Sequence, residues 1–198
     1  MTVDLRTLYP SPSERARLKT LRKIDQHCRS FIALSPFLCL GTSGPEGTDV
    51  SPRGDQPGFV HVLDDQTLAI PDWPGNNRLD SLTNIVANSS VGLLFLIPGV
   101  DESLRVNGTA LITTERAVLA SWETNGKTPR SALIITVKEV FLHCGKALIR
   151  SKLWREDNRV DRALLPSYGQ MLKDKIEIGE SATEIEASVA EAYKNGLY

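Results

Sequence analysis

Short apolar segments separated by tight turns are the feature that most limits what this chain can fold into. From residue 37 to residue 143, each segment reaches strand length and then stops at proline, glycine or paired polar residues. Such short connections join antiparallel strands, whereas parallel strands need long and usually helical crossovers. The pattern therefore predicts about six strands in a small antiparallel barrel of α+β class. The segments are 37–41, 59–62, 67–70, 91–97, 104–112 and 132–142, with another strand starting at Val50.

Two of these strands are predicted to be distorted. Alternation of apolar and polar residues passes through Asn107 and Gly108 without a break, which favours one long strand with a glycine bend over a hairpin turn. The last strand is interrupted at Lys138 and Glu139, where a bulge is expected. The most apolar segment, 91–97, is predicted to be a central strand.

Helical periodicity occurs before, within and after the strands. Apolar residues return to one face over 13–34, from near Asn77 to 85, over 114–122 and over 182–193. We expect one domain in which an N-terminal helical segment, 1–35, packs on a barrel formed by 36–155. A C-terminal helical tail, 156–198, follows the barrel.

A loop with several anion-binding groups precedes the central helix. Gly75, Asn76 and Asn77 lead into Arg78, and the helix is predicted to begin close to Asn77. The first turn of a helix offers unpaired backbone N–H groups, and an arginine adds a charged donor. The combination is typical of a phosphate-binding site.

An arginine on a neighbouring strand is a candidate second contact to the same anion. If Arg53 approached from the opposite side, two guanidiniums would hold one phosphate. The alternative is purely structural: Asn77 caps a surface helix while Arg53 pairs with Asp55 and Arg78 pairs with Asp80. The local sequence leaves both interpretations open.

Charge and hydropathy exclude two classes of partner. Lys and Arg number 23 against 24 Asp and Glu, so the formal net charge of -1 gives no basic surface for duplex nucleic acid. No apolar run approaches the roughly 20 residues that a membrane-spanning helix needs. We expect a soluble, cytoplasmic protein.

The cysteines and histidines are scattered. No Cys-x-x-Cys pair is present, so the sequence predicts neither a disulfide framework nor a metal site, and the thiols are expected to be reduced. The residues are Cys28, Cys39, Cys144, His27, His61 and His143.

Four stretches occur in an order that matches a known family. They are PFLCLGTSGPEGTDVSPRGD, LAIPDWPGNNRLDSLTNI, VGLLFLIPG followed by LRVNGTALI, and HCGKALIRSKLW. Over about 31–154 the chain resembles the flavoproteins similar to pyridoxamine 5'-phosphate oxidase, which share the FMN-binding split barrel. The resemblance implies a six-stranded split β-barrel with flanking helices and an FMN cofactor.

The resemblance also implies a set of cofactor contacts. In the family, one strand borders the isoalloxazine ring and carries an arginine toward the phosphate, the end of another strand contacts the ribityl chain, and a short basic segment binds the phosphate. The matching positions here are Val50, Ser51, Pro52 and Arg53; Ile70 and Pro71; and Asn76, Asn77 and Arg78. The last group has two amides and one arginine where the family has adjacent Arg and Lys, which makes Arg53 more necessary.

The final stretch implies a site shared between two subunits. Residues 144–154 look like the family's Asn-Cys-Pro-Lys segment, with Gly145 in place of the proline. Lys146, Arg150 and Trp154 would then reach the flavin of the partner subunit in a two-fold homodimer. In the structural alternative Lys146 is solvated and Trp154 only packs against the barrel.

The function implied is that of an FMN-dependent oxidoreductase acting on a small molecule, with a reductant such as NAD(P)H. The flavin carries the electrons, so no side-chain nucleophile is needed, and no catalytic residue is identified. His143 and Cys144 lack a placed acid and are interpreted as packing residues. The family's substrate-binding Arg and His pair is not recognisable, which disfavours vitamin B6 oxidation. A non-catalytic flavin store or sensor and a haem- or deazaflavin-binding protein are the alternatives.

Overall fold

A computed structural model of the protein describes residues 3–177 and 179–197. Its strands are β1 Phe37–Gly44, β2 Gly47–Gly54, β3 His61–Val62, β4 Thr67–Asp72, β5 Ser90–Leu96, β6 Ser103–Thr113 and β7 Ser131–His143. Its α-helices are α1 Leu5–Leu8, α2 Glu14–Leu18, α3 Gln26–Leu34, α4 Asp80–Ala87, α5 Arg116–Leu119, α6 Lys146–Ser151, α7 Tyr168–Lys173 and α8 Ala182–Asn195. Three 3-10 turns lie at Ala120–Trp122, Glu156–Asn158 and Arg162–Leu164.

The strands form one antiparallel sheet in the order β2-β1-β5-β6-β7-β4-β3. Although β2 and β4 are far apart in this order, Arg53 in β2 lies 3.9 Å from Asp72 in β4. The sheet must therefore curl until these two strands approach without pairing. This is the split barrel that the sequence predicted. Its seven strands fall in the predicted segments, and the 59–62 segment contributes only the two-residue β3, which pairs with β4.

Alternation within the strands explains which face is buried. Leu38 and Leu40 of β1 and Leu93 and Phe95 of β5 point into the main core, which the curled sheet encloses with α3 and α4. The prediction that 91–97 is central is confirmed, because β5 lies between β1 and β6. Its outward face is not fully covered, since Leu94 is exposed.

The predicted distortions of the long strands are confirmed at one place. The register of β6 and β7 shifts between Asn107 and Gly108, because Asn107 pairs with Glu139 and Gly108 with Val137. Lys138 is the extra residue of this bulge. The Asn107 amide also donates a hydrogen bond to the Glu139 carboxylate, which joins the strands beside the shift.

The N-terminal helix is interrupted, contrary to the single helix predicted over 13–34. Leu21 forms an antiparallel bridge with Val140 of β7, with N–H donors 2.9 and 2.8 Å from the acceptor oxygens. An extended residue at this position separates α2 from α3. Helix α3 begins after its N-cap residue Asp25, whose carboxylate accepts the Cys28 N–H at 2.8 Å.

The central helix also begins later than predicted. Helix α4 starts at Asp80, and the preceding Asn77 and Leu79 have φ angles of 58° and 63°. Left-handed backbone cannot continue a right-handed helix, so these residues keep the 76–79 segment as a loop. Arg78 therefore precedes the helix instead of lying in its first turn.

The other predicted elements agree with the structure. The helical segment before residue 122, the end of the last strand at His143 and the tail helix from Ala182 are all present. In the part of the chain that the structure describes, no helix is both long and apolar enough to cross a bilayer.

Gly108→Ala should destabilise the protein. A Cβ added at Gly108 would lie well inside contact distance of the Thr136 carbonyl oxygen, so β6 and β7 would have to separate. We expect a loss of about 2 kcal/mol or more in the free energy of unfolding, measured by urea denaturation. Gly75→Ala is the control, because nothing lies within 4 Å of its added Cβ. Equal losses of stability in the two variants would contradict the conclusion that Gly108 is needed for the close pairing of β6 with β7.

Candidate functional site

A cavity of about 420 Å³ opens where β2 and β4 approach each other. The ends of β2 and β4, the residue before β7 and the start of α4 all meet at this edge of the barrel. Six charged residues line the cavity, and they are Arg53, Asp55, Asp72, Arg78, Asp80 and Arg130. The cavity is thus a polar site built from four different segments.

Arg53 points into the cavity because residues of β2 alternate between two faces. Its side chain is 22% exposed, with Nη1 donating to the Pro52 carbonyl oxygen at 3.0 Å. The Asp72 carboxylate lies 3.9 Å from Nη2, which is beyond hydrogen-bond distance. The buried Nε has no hydrogen-bond partner among the described residues. Leaving a buried donor without an acceptor costs free energy. A ligand oxygen that accepted a hydrogen bond from this guanidinium would remove that cost.

Arg78 lies at the outer rim of the same cavity. Its Nε donates to Asp80 at 2.8 Å, and its side chain is 73% exposed. The Asn76 side chain accepts the Arg78 N–H at 3.1 Å, which fixes the loop. The structural alternative is therefore correct for the Arg78–Asp80 pair, while the ion pair of Arg53 is formed with Asp72.

A hydrogen-bonded cluster fixes β2 to α4 beside the cavity. The Asp49 carboxylate accepts the hydroxyls of Ser51 at 2.7 Å and of the buried Ser81 at 2.8 Å. These hydrogen bonds, aided by Arg53 and Arg78, lower the pKa of Asp49. The cluster holds the inward face of β2 in a defined position relative to the start of α4.

The pKa of Asp72 is shifted in the opposite direction to that of Asp49. Burial at the end of β4 raises the pKa of its carboxyl, and Arg53 only partly offsets this effect. Its carbonyl oxygen accepts the N–H of Arg130 at 3.1 Å, which extends the β4–β7 pairing to the cavity edge. Asp72 thus contacts one arginine through its side chain and another through its backbone.

The structure brings together seven of the residues singled out from the sequence and separates the others. Those that line the cavity are Ser51, Pro52, Arg53, Pro71, Asn76, Asn77 and Arg78. Ile70 is buried in the core, and Val50 faces the opposite side of β2. Lys146 and Arg150 lie on α6, while the Trp154 indole donates to the Val100 carbonyl oxygen at 2.8 Å. None of these last three lines the cavity of its own chain.

Sequence reasoning missed Asp72, Ser81 and Arg130. Asp72 and Arg130 border strand ends that meet only because the sheet curls. The pairing of β4 with β7, which aligns Asp72 with Ser131, was the signal that could have located them. Ser81 was missed because the helix was predicted to begin near Asn77, whereas α4 begins at Asp80 and so places Ser81 in its first turn.

A second, mostly apolar cavity of about 440 Å³ lies on the outward face of the sheet. Val50, Leu94 and Arg105 line it together with His143 and Cys144. Both His143 and Cys144 are exposed, and the His143 ring lies 6.2 Å from that of Phe141. They are thus exposed residues of a surface cavity, and the packing role expected from the sequence is limited to the contact of the His143 ring with Phe141.

Comparison with known proteins identifies the family to which this fold belongs. The family model of pyridoxamine 5'-phosphate oxidase matches residues 24–144, which is more than half of the chain. The chain belongs to the pyridoxamine 5'-phosphate oxidase family. The match contains every element that lines the first cavity, and it leaves α1, α2 and the helices from α6 onward outside.

Solved structures share the fold of this family member. A single-residue variant of HupZ from Group A Streptococcus is 22% identical, with a TM-score of 0.50, and covers 61% of this chain and 99% of its own. HupZ without that change is 21% identical, with the same TM-score, and covers 60% of this chain and 93% of its own. A search of curated protein sequences finds no significant match.

The residues of the first cavity suit the phosphate group of a flavin nucleotide, the class of cofactor that the family usually binds. Its phosphate needs charged donors at a partly enclosed site, and Arg53 offers a buried Nε that lacks an acceptor. Arg78 and the amides of Asn76 and Asn77 line the same space. The donor set therefore suits a phosphate monoester.

Asp49→Asn should destabilise the protein in a pH-dependent way. Because folding lowers the pKa of Asp49, its stabilisation is present above the unfolded-state pKa of about 3.9 and is lost as pH falls through the folded-state pKa. We expect a loss of about 1 kcal/mol at pH 7, allowing for partial exposure, and a smaller loss at pH 3. Urea denaturation at both pH values measures it, with Glu46→Gln as the exposed control. An equal loss at both pH values would mean that the asparagine disturbs packing instead.

Proposed function

We propose that this protein binds FMN in the first cavity and acts as an FMN-dependent oxidoreductase on a small molecule. The observation that carries the proposal is the Arg53 guanidinium, which lines a cavity of about 420 Å³ and whose buried Nε has no hydrogen-bond partner among the described residues. Phosphate oxygens satisfy such a donor and form charge-assisted hydrogen bonds with the guanidinium. Membership of the family supports the choice of a flavin phosphate.

The protein's own residues would hold and orient the cofactor. Arg53 binds the phosphate from β2, Arg78 approaches it from the loop, and Ser51 and Pro71 line the space between them. The Asp49 cluster keeps β2 and α4 fixed, so the donors are positioned before the ligand arrives. When bound, FMN supplies the redox chemistry. The expected reductant is a nicotinamide nucleotide such as NAD(P)H.

We also propose that the working unit is a homodimer with two equivalent sites. The outward face of the sheet exposes Val50 and Leu94, which line the apolar second cavity. A two-fold interface places the same patch of both subunits together and would cover these side chains. Lys146, Arg150 and Trp154, which do not line the cavity of their own chain, would then complete the site of the partner.

A flavin store or sensor is the second candidate function. The ionisable residues lining the first cavity are aspartates and arginines, which gives no evident acid–base pair. The absorbance spectrum of freshly purified protein separates flavin from haem and deazaflavin. Anaerobic addition of NADPH or NADH then separates an oxidoreductase, whose flavin bands bleach, from a store, whose bands do not.

Arg53→Ala should weaken FMN binding while leaving riboflavin binding almost unchanged. Riboflavin has no phosphate, so it does not depend on this contact. Losing a charge-assisted contact of about 1.5–3 kcal/mol lowers affinity by roughly tenfold to a hundredfold. Arg78→Ala should have a smaller effect in the same direction, because Arg78 is exposed and already paired with Asp80.

Titration of apo protein with both flavins, followed by fluorescence, measures these affinities. Arg17→Ala is the matched control, since Arg17 lies on the exposed helix α2. Equal losses for FMN and riboflavin in Arg53→Ala would mean that Arg53 supports the shape of the cavity and does not bind phosphate.

Mixed dimers test whether each site is shared between subunits. If one chain carries Arg53→Ala and the other Lys146→Ala, one site keeps both residues and should bind FMN with wild-type affinity. If both changes are in one chain, each site lacks one residue and both should be weakened. Titration of purified heterodimers distinguishes the two patterns. The opposite result would show that each site is built within one chain. In that case the heterodimer with the changes on different chains would have two weakened sites, and the heterodimer with both changes on one chain would keep one wild-type site.

A further inference from the structure

Arg130 is a charged residue of the first cavity that neither the family resemblance nor the sequence pattern singled out. It is the last residue before β7, and its N–H donates to the Asp72 carbonyl oxygen at 3.1 Å. Its backbone is thus fixed to the end of β4. Its exposed side chain lines the cavity and makes no hydrogen bond or salt bridge within residues 3–177 and 179–197.

The charge balance of the cavity gives this residue its importance. The lining contains Arg53, Arg78 and Arg130 against Asp55, Asp72 and Asp80, so the formal charges cancel. Arg78 is paired with Asp80 at 2.8 Å, and Arg53 lies 3.9 Å from Asp72. Without Arg130 the lining would carry a net charge of -1 and would repel an anion.

We propose that Arg130 is a binding residue for the anionic group of the ligand and sets the preference of the cavity for phosphorylated over neutral flavins. The inference rests on the proposed function, because it takes FMN as the ligand. Arg53 approaches the anion from β2, and Arg130 approaches it from the start of β7. Two guanidiniums, one carried by β2 and the other by the loop before β7, then face the same phosphate across the gap in the barrel.

The experiment measures the affinity of the full chain for FMN and riboflavin, at low and high salt. Arg130→Ala should lower FMN affinity about tenfold at low salt and leave riboflavin affinity unchanged. The loss should shrink at high salt, because the rim of the cavity is exposed to solvent and screened. Arg130→Lys should recover part of the affinity, since it restores the charge without the planar fork. Arg116→Ala, in the short helix α5 outside both cavities, is the control.

The outcomes separate this inference from the proposed function. If wild-type protein fails to bind FMN, the proposed function fails and the inference fails with it. If wild-type protein binds FMN and Arg130→Ala binds it equally well, the inference is overturned while the proposed function stands. Equal losses for FMN and riboflavin would also overturn the inference, because they would assign Arg130 a structural role.

Discussion

The long antiparallel pairing between β6 and β7 is the contact on which the rest of the fold depends. It joins the β2-β1-β5 strands on one side to the β4-β3 strands on the other. The bulge at Lys138 breaks the regular register at Asn107 and Gly108, and bulges increase local twist. A more strongly twisted pairing in the middle of the sheet lets its two ends curl toward each other. As a result, Arg53 of β2 approaches Asp72 of β4 where these two strands come close without pairing.

The gap between β2 and β4 explains why the first cavity lies where it does. Two strands that approach without pairing leave space at their ends, and polar side chains can enter that space from both sides. Arg53 is placed there by alternation along β2, while Asp72 and Arg130 are placed by the β4–β7 pairing. The site is therefore a consequence of barrel closure, and its charged groups come from segments that are distant in sequence.

Local signals predicted most of the fold. Alternation located the strands and carried β6 through Gly108, and proline, glycine and paired polar residues marked the ends of segments. The two errors have non-local or rare causes. Helix α2 ends because Leu21 pairs with Val140, a contact between distant residues. Helix α4 starts late because Leu79 adopts a left-handed conformation that leucine rarely takes, so no propensity rule predicts it.

The candidate site was predictable only where one segment carries it. Arg53 and the 76–78 loop were found because each lies in a recognisable local pattern. Arg130 follows a proline in a loop without a distinctive motif, and its place in the cavity lining depends on the curl of the whole sheet. Asp80 was named as a possible partner of Arg78, whereas Asp72 was not singled out from the sequence, and both act as counter-ions to these arginines. Three guanidiniums at one barrel edge would repel one another, so the aspartates allow the arginines to be held together before an anion is bound.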